Sequence, residues 1–309
     1  MITTLTCNPA LDRTLIVPGF RNADVSRVRD RHDAAGGKGL NVARALQRLG
    51  APCQSVAPLG GHTGHVVARL AQAEQIHLHQ VVIAGETRTC LLITDVEAPD
   101  QLVVNEPGPS MSTSEWQALH ERVTALARTS AFLTISGSLP PGASSGGLRA
   151  LVDTCSRDCP VALDTSGEPL VAHLDAAIAL LKINASELGA SLGIPIDSPA
   201  AAAYAAQHVI AQGPHTVAVT LGAAGAVVAT SDAAWYVPAP TITAVSPVGS
   251  GDCTLAGMVM ARSQGADWPT ALRHGVACGS ANALIPHAAH FDVTTYAQFL
   301  AMSPAHPID

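Results

Sequence analysis

The chain has 309 residues, a formal net charge of −7 and only 13% charged residues. An acidic chain without a Lys/Arg run excludes backbone-driven binding to nucleic acid or to anionic membranes. Its 48% hydrophobic content excludes a disordered chain. Only two of the seventeen basic side chains are lysines, Lys38 and Lys182. No segment approaches the ~18 unbroken apolar residues of a membrane span. The opening residues reach Asp12 and Arg13 too soon for a secretory leader. The seven cysteines are odd in number and scattered, so buried free thiols in a reducing cytoplasm are expected.

In chain order, apolar strands alternate with helices. Core strands are expected at Ile2–Thr6, Gln54–Ala57, Phe132–Ile135, Val161–Asp164, Leu180–Ile183 and Thr216–Thr220. Helices are expected at Leu40–Leu49, Gly64–Ala73, Thr113–Ala127, Gly147–Cys155, Pro199–Ala211, Cys253–Arg262 and Pro269–Leu284, with Ser198 capping the one that starts at Pro199. Short strands separated by helices predict an α/β fold with a mostly parallel sheet wound on both faces. Two stretches break the rhythm. Thr14–Arg31 reads as two short strands around Pro18-Gly19. Thr87–Asn105 reads as a hairpin of Cys90–Thr94 and Leu102–Asn105 turning at Ala98-Pro99-Asp100. Together they predict a small β-sheet, serving as a flap over a ligand crevice, as a subunit contact, or as both.

Four glycine-bearing segments carry the chemistry. Gly36-Gly37-Lys38-Gly39-Leu40-Asn41 runs into a helix whose free N–H groups suit an anion or a sugar hydroxyl, or form an ordinary helix entry. It is not a Walker A loop, because Lys38 is followed by Gly39. Gly249-Ser250-Gly251-Asp252 opens another helix. Its successive N–H groups form an anion nest, with Asp252 either a base for a hydroxyl proton or a plain helix cap. Leu181-Lys182-Ile183-Asn184 leads into Glu187. Asn184 and Glu187 share a helix face, which fits a hydrated Mg²⁺ and fits a capping box equally well. Thr220-Leu221-Gly222 through Gly225 reads as a tight strand–turn–strand. A hydroxyl-activating Asp, a nest, a candidate metal pair and nearby cations together describe phosphoryl transfer.

These segments stand in an order that resembles the pfkB family of ribokinase-like carbohydrate kinases nearly end to end. Asn8-Pro9-Ala10-Leu11-Asp12 resembles the family's opening sugar-binding segment. Gly36 to Ala43 resembles its first signature and Gly249 to Asp252 its second. Between them, Gly85-Glu86-Thr87-Arg88, Asn105-Glu106-Pro107-Gly108-Pro109, Ser136 to Gly142 and Asp164-Thr165-Ser166-Gly167 follow in family order.

The resemblance implies a three-layer αβα core as a single domain over 1–309, with lid segments near 13–33 and 86–105. It implies Asp252 as catalytic base, with Gly249, Ser250 and Gly251 completing the anion hole. Asp12, Arg27, Gly37, Lys38, Asn41, Arg88, Cys90 and Ser138 would line the sugar-phosphate site, Arg27 from the lid across a homodimer interface. Lys182, Thr220, Gly222, Gly225 and Asn282 would serve ATP, and Asn184 and Glu187 Mg²⁺, with a monovalent cation as a further family feature. Thr87-Arg88-Thr89-Cys90 and Ser250 resemble the tagatose-6-phosphate kinases, whereas Asn105-Glu106-Pro107-Gly108 is closer to the fructose-phosphate kinases. The expected reaction is therefore tagatose 6-phosphate to the 1,6-bisphosphate, with 1- or 6-phosphofructokinase activity as the alternative and a non-catalytic phosphosugar sensor behind both. Ile183 for the usual Pro, and Pro286-His287-Ala288-Ala289-His290, depart from the family pattern.

Overall fold

The computed structural model describes residues 1–19, 25–95 and 101–308. Its central sheet has ten strands among these residues. Seven are mutually parallel, in the spatial order β5 (Leu78–Val82), β4 (Cys53–Leu59), β1 (Ile2–Thr6), β8 (Phe132–Ser136), β9 (Val161–Asp164), β10 (Leu180–Asn184) and β11 (Val217–Thr220). Three antiparallel strands extend one edge: β12 (Ala226–Ala229), β13 (Ala234–Val237) and β14 (His306–Ile308). Leu133, Ile135, Leu181 and Ile183 point into one hydrophobic core and Phe132, Ala162 and Leu180 into the other. Such strands are apolar on both faces because helices cover both.

One face carries α3 (Thr113–Ala127), α4 (Ser145–Cys155), the short α5 (Glu168–Val171), α6 (Ala185–Leu192) and α7 (Pro199–Ile210), whose Leu119, Leu148, Leu170, Leu188 and Ala202 are fully or almost fully buried. The other carries α1 (Lys38–Arg48), α8 (Ser250–Ser263), α9 (Trp268–Ala283) and α10 (Val293–Met302), with Leu46, Leu255, Leu272 and Tyr296 in the second core. This is the three-layer αβα core that the resemblance implies. Ser198 caps α7 by accepting from Ala201 N, with Pro199 in the first turn, as the sequence predicts. No helix among the described residues is long and apolar enough to cross a membrane.

A separate sheet of β3 (Asp30–Gly36), β2 (Ala10–Ile16), β6 (Arg88–Thr94) and β7 (Gln101–Asn105) stands beside this core. Helix α2 (Gly61–Ala73) packs beneath it, burying Val67 and Ala71 with Leu11 and Ala35. The predicted pairing of the two irregular stretches is present, but its strands differ. The strands expected within Thr14–Arg31 are found further out, at Ala10–Ile16 and Asp30–Gly36. The segment Asp-Arg-His-Asp-Ala-Ala-Gly has little intrinsic strand preference, yet it pairs along its length with β2, from Ile16↔Asp30 to Ala10↔Gly36. Pairing context overrides propensity here. The expected hairpin strands are present as β6 and β7, whereas the turn expected at Ala98-Pro99-Asp100 lies outside the described residues.

Candidate active site

The parallel strands end along one edge, where Thr6, Ser136 and Asp164 are in register, as are Asn184 and Thr220. Open α/β sheets bind ligands beyond the carboxyl ends of their strands. Two helix N-termini converge there, α1 capped by Gly37 and α8 capped by Gly249. Gly249 has φ +81°, and a Cβ on it would lie 2.7 Å from the Ala288 Cβ. A Cβ on Gly251 would lie 2.7 Å from Lys182 Nζ. The first turn of α8 is thus a cradle that only glycine leaves open, with an ammonium against its wall.

Asp252 lies in that first turn and is 5% exposed. Its Oδ2 accepts a 2.8 Å hydrogen bond from Asn41 Nδ2 on α1. Behind it is Asp164, fully buried at the end of β9. Asp164 accepts from Lys38 Nζ on Oδ1 at 3.0 Å and from Lys182 Nζ on Oδ2 at 3.1 Å. Burial pushes Asp252 up to about 6, and the like charge of Asp164 adds to this against the pull of Lys38, Lys182 and the Asn41 hydrogen bond. Burial would also raise Asp164, but Lys182 and Lys38 outweigh it and hold that carboxyl below its ordinary value. Burial disfavours the Lys38 ammonium, yet Asp164, Asp252 and, more weakly, Glu187 hold its pKa above the usual lysine range. An ionised, hydrogen-bonded carboxylate at a helix N-terminus, poised near neutral pH, can take a proton from a hydroxyl while the nest faces developing charge.

A cleft of about 210 Å³ opens between the small sheet and the core, with Asp12, Asn41, Cys90, Asn105 and His287 among its lining residues. A second cleft of about 310 Å³ lies between Asn184, Ser186, Thr220 and Gly222. Residues 6–292 match the pfkB family of carbohydrate kinases. The chain belongs to that family. It stands with the sugar-phosphate kinases within it. It is 34% identical over 288 residues to an ATP-dependent 6-phosphofructokinase isozyme 2 of Mycobacterium tuberculosis, spanning 92% of this chain and 84% of that one. It is 36% identical over 283 residues to a 1-phosphofructokinase of Haloferax volcanii, spanning 91% and 90%. The crystal structure of Escherichia coli phosphofructokinase-2 in complex with fructose-6-phosphate superposes with a TM-score of 0.90 at 30% identity, covering 97% of this chain and 98% of that one.

In this pfkB-family kinase the sequence-predicted residues fall into three groups. Lys38, Asn41, Lys182, Asp252 and the Gly249–Gly251 turn meet around Asp164. In a second group, Asp12 and Cys90 line the sheet–core cleft, and Ser138 and Arg88 are joined to Asn8. Asp12, on β2, is pushed up to about 6 by burial, opposed by Arg44 and Arg88. Cys90, in register with Asn105 on the same wall, has its thiol raised by burial. Ser138 accepts from Asn8 Nδ2 at 3.3 Å. Arg88 donates to Asn8 O at 2.9 Å and Glu106 O at 3.0 Å, bracing the loop that bounds this end.

In the third group, Asn184, Glu187, Asn282 and Gly225 are engaged in holding the fold itself. Asn184 and Glu187 form the capping box of α6, Glu187 N to Asn184 Oδ1 at 2.8 Å and Asn184 N to Glu187 Oε2 at 3.3 Å. Among the described residues no cluster of three or more His, Cys, Asp or Glu could hold a metal ion by itself. Asn282 is fully buried and spends its amide on Val248 O, Ser250 Oγ and Ala289 N, tying together the two loops beside the nest. Thr220 and Gly222 line the second cleft, while Gly225 closes the turn by accepting from Leu221 N. Arg27 is exposed on the segment before β3. Asp164 is the residue that sequence reasoning left without a role. Its motif was visible, but the meeting of two lysines on it was not.

Proposed function

We propose that this kinase transfers the γ-phosphoryl group of ATP to the free primary hydroxyl of a fructose monophosphate, forming the 1,6-bisphosphate. The observation that carries the reading is Asp252, held by Asn41 in the open first turn of α8 beside both lysines. When bound, ATP supplies an electrophilic γ-phosphorus, and a divalent cation would shield its oxygens. The cradle of Gly249–Gly251 and the Lys182 ammonium fit phosphate oxygens. Glu187 is partly exposed and close enough to act on Lys38, which suits a cation that keeps most of its waters.

Asp252 takes the proton as the substrate O–H bond breaks. The new P–O bond forms while the bond to the departing ADP oxygen breaks. The nest N–H groups and Lys182 face the charge on the transferring group. Asp12 and Asn41 orient sugar hydroxyls. Arg88 and Ser138 bound the end that would hold the substrate's own phosphate. Covering the cleft with the small sheet excludes water and so limits hydrolysis. Leu102, Val103 and Val104 are exposed on that sheet, which supports a homodimer joined there, with Arg27 reaching the partner's site.

Fructose phosphates are favoured because the relatives named above are phosphofructokinases. Tagatose 6-phosphate stands as the second reading. Cys90 and Asn105, which resemble opposite sub-branches, are cross-strand partners on the same cleft wall. A kinetic panel of fructose 6-phosphate, fructose 1-phosphate and tagatose 6-phosphate separates them by kcat/KM. Asp252→Asn is expected to abolish turnover with each. Parent-like turnover in that variant would remove Asp252 as the base.

A further inference from the structure

Arg44 is 3% exposed and all three of its guanidinium nitrogens are engaged. Nε donates to Glu74 Oε2 at 2.6 Å, Nη2 to Ala35 O at 2.6 Å and Nη1 to Asn41 Oδ1 at 2.8 Å. Asn41 in turn donates through Nδ2 to Asp252. An amide has one accepting end and one donating end, and a guanidinium can only donate. Arg44 therefore fixes which end of Asn41 points where.

We propose that Arg44 is a positioning residue for the base: by donating to Asn41 Oδ1 it compels Asn41 to present its NH₂ group, and not its carbonyl, to Asp252. Arg44 is itself held by Glu74 at the end of α2 and by Ala35 on the small sheet. The orientation of the base is thereby tied to the sheet that covers the cleft. The inference rests on the reading of Asp252 as the general base. Without Arg44 the amide is free to flip. Its carbonyl would then face the carboxylate and disfavour the ionised form.

The charged groups that bear on Asp252 are Asp164, Lys38 and Lys182. Arg44 also acts on Asp12 and His290, so a simple loss of its charge must be told apart from a flip. The experiment is the acid limb of kcat/KM in parent, Arg44→Lys, Arg44→Gln, Asn41→Ala and the Arg44→Gln/Asn41→Ala double variant. Lysine still only donates, so its limb should stay at the parent pH. Glutamine keeps polar bulk but can accept from Asn41, so its limb should rise by about one pH unit. In the Asn41→Ala background the Gln substitution should move the limb no further.

A limb that rises as far in Arg44→Lys as in Arg44→Gln overturns the proposal. So does an unmoved limb in a folded Arg44→Gln variant, or a further rise in the double variant, which would implicate Asp12. Should Arg44→Gln fail to fold, Arg44→Met, which can no longer donate to Asn41, takes its place: its limb should rise, and an unmoved limb overturns the proposal. A parent inactive on every sugar phosphate would instead remove the proposed function.

Discussion

Replacing Asp164 by Asn changes two observables in directions that a general loss of structure would not combine. Asp164 is fully buried and holds two ammonium groups at 3.0 and 3.1 Å. At an effective dielectric of ~20, each contact carries roughly 5 kcal/mol of gross attraction. Much of that offsets desolvation, and removing one partner of a buried pair typically costs about 3–5 kcal/mol. Unfolding entropy near 2.1 cal/mol/K per residue is about 0.65 kcal/mol/K for a chain of this length, so the melting temperature should fall by roughly 5–8 °C. Turnover should fall too, because Lys38 and Lys182 lose the group that aims them.

The second observable is the acid limb of kcat/KM. Asp252 is raised from 3.8 to about 6, first by burial and next by the charge of Asp164. In Asp164→Asn the burial stays and the repulsion goes, while both lysines remain. The limb should therefore move to lower pH, by about one unit of the roughly two now present. Substrate phosphates also titrate near pH 6, but identically for both proteins, so the difference between limbs isolates the enzyme. The assay is a coupled ADP-release measurement from pH 5 to 8 (roughly the range in which Asp252 changes charge), paired with a thermal melt. A destabilised variant whose limb stays put or rises would refute the assignment of Asp164 as the like charge beside the base.

Two further changes test the cradle. Gly249→Ala places a Cβ 2.7 Å from that of Ala288 at φ +81°, so the nest must distort, and kcat should fall by about 10²–10³-fold, read by steady-state kinetics. Lys182→Arg keeps the charge but puts a broader group where a Gly251 Cβ would already be 2.7 Å from Nζ; kcat should drop at least ~10-fold, and parent-like kcat would show that the cradle has room to spare.

The parallel sheet and its covering helices were readable because Phe132–Ile135 and Leu180–Ile183 are apolar but for Thr134 and Lys182. The small sheet was readable as a pairing of two odd stretches but not in its bounds, since β3 is a strand only by virtue of β2. Site residues near a glycine-rich helix start were readable one segment at a time. The Asn184–Glu187 spacing serves a capping box and a metal pair equally, and only coordinates show the capping hydrogen bonds. Arg44 had a usable signal, because it lies three residues from Asn41 and so on the same helix face. Asp164 had none beyond its motif. Its lysines come from 126 and 18 residues away, and no local pattern encodes that meeting.

That meeting gives the two lysines a shared reason. Each takes one oxygen of a single buried carboxylate, an arrangement suited to compact ammonium groups and awkward for two planar guanidinium forks. With Asp252 ionised, the two lysines and two carboxylates sum to zero. The attraction for phosphoryl oxygens then comes from the helix end and the nest, whose N–H groups are fixed in place. A negative charge arriving there raises the proton affinity of Asp252 further, by the same like-charge effect that Asp164 already exerts. On the proposed function, the carboxylate thus becomes a stronger base once the phosphoryl group is in position. On the proposed function, the quartet couples donor binding to hydroxyl activation through electrostatics.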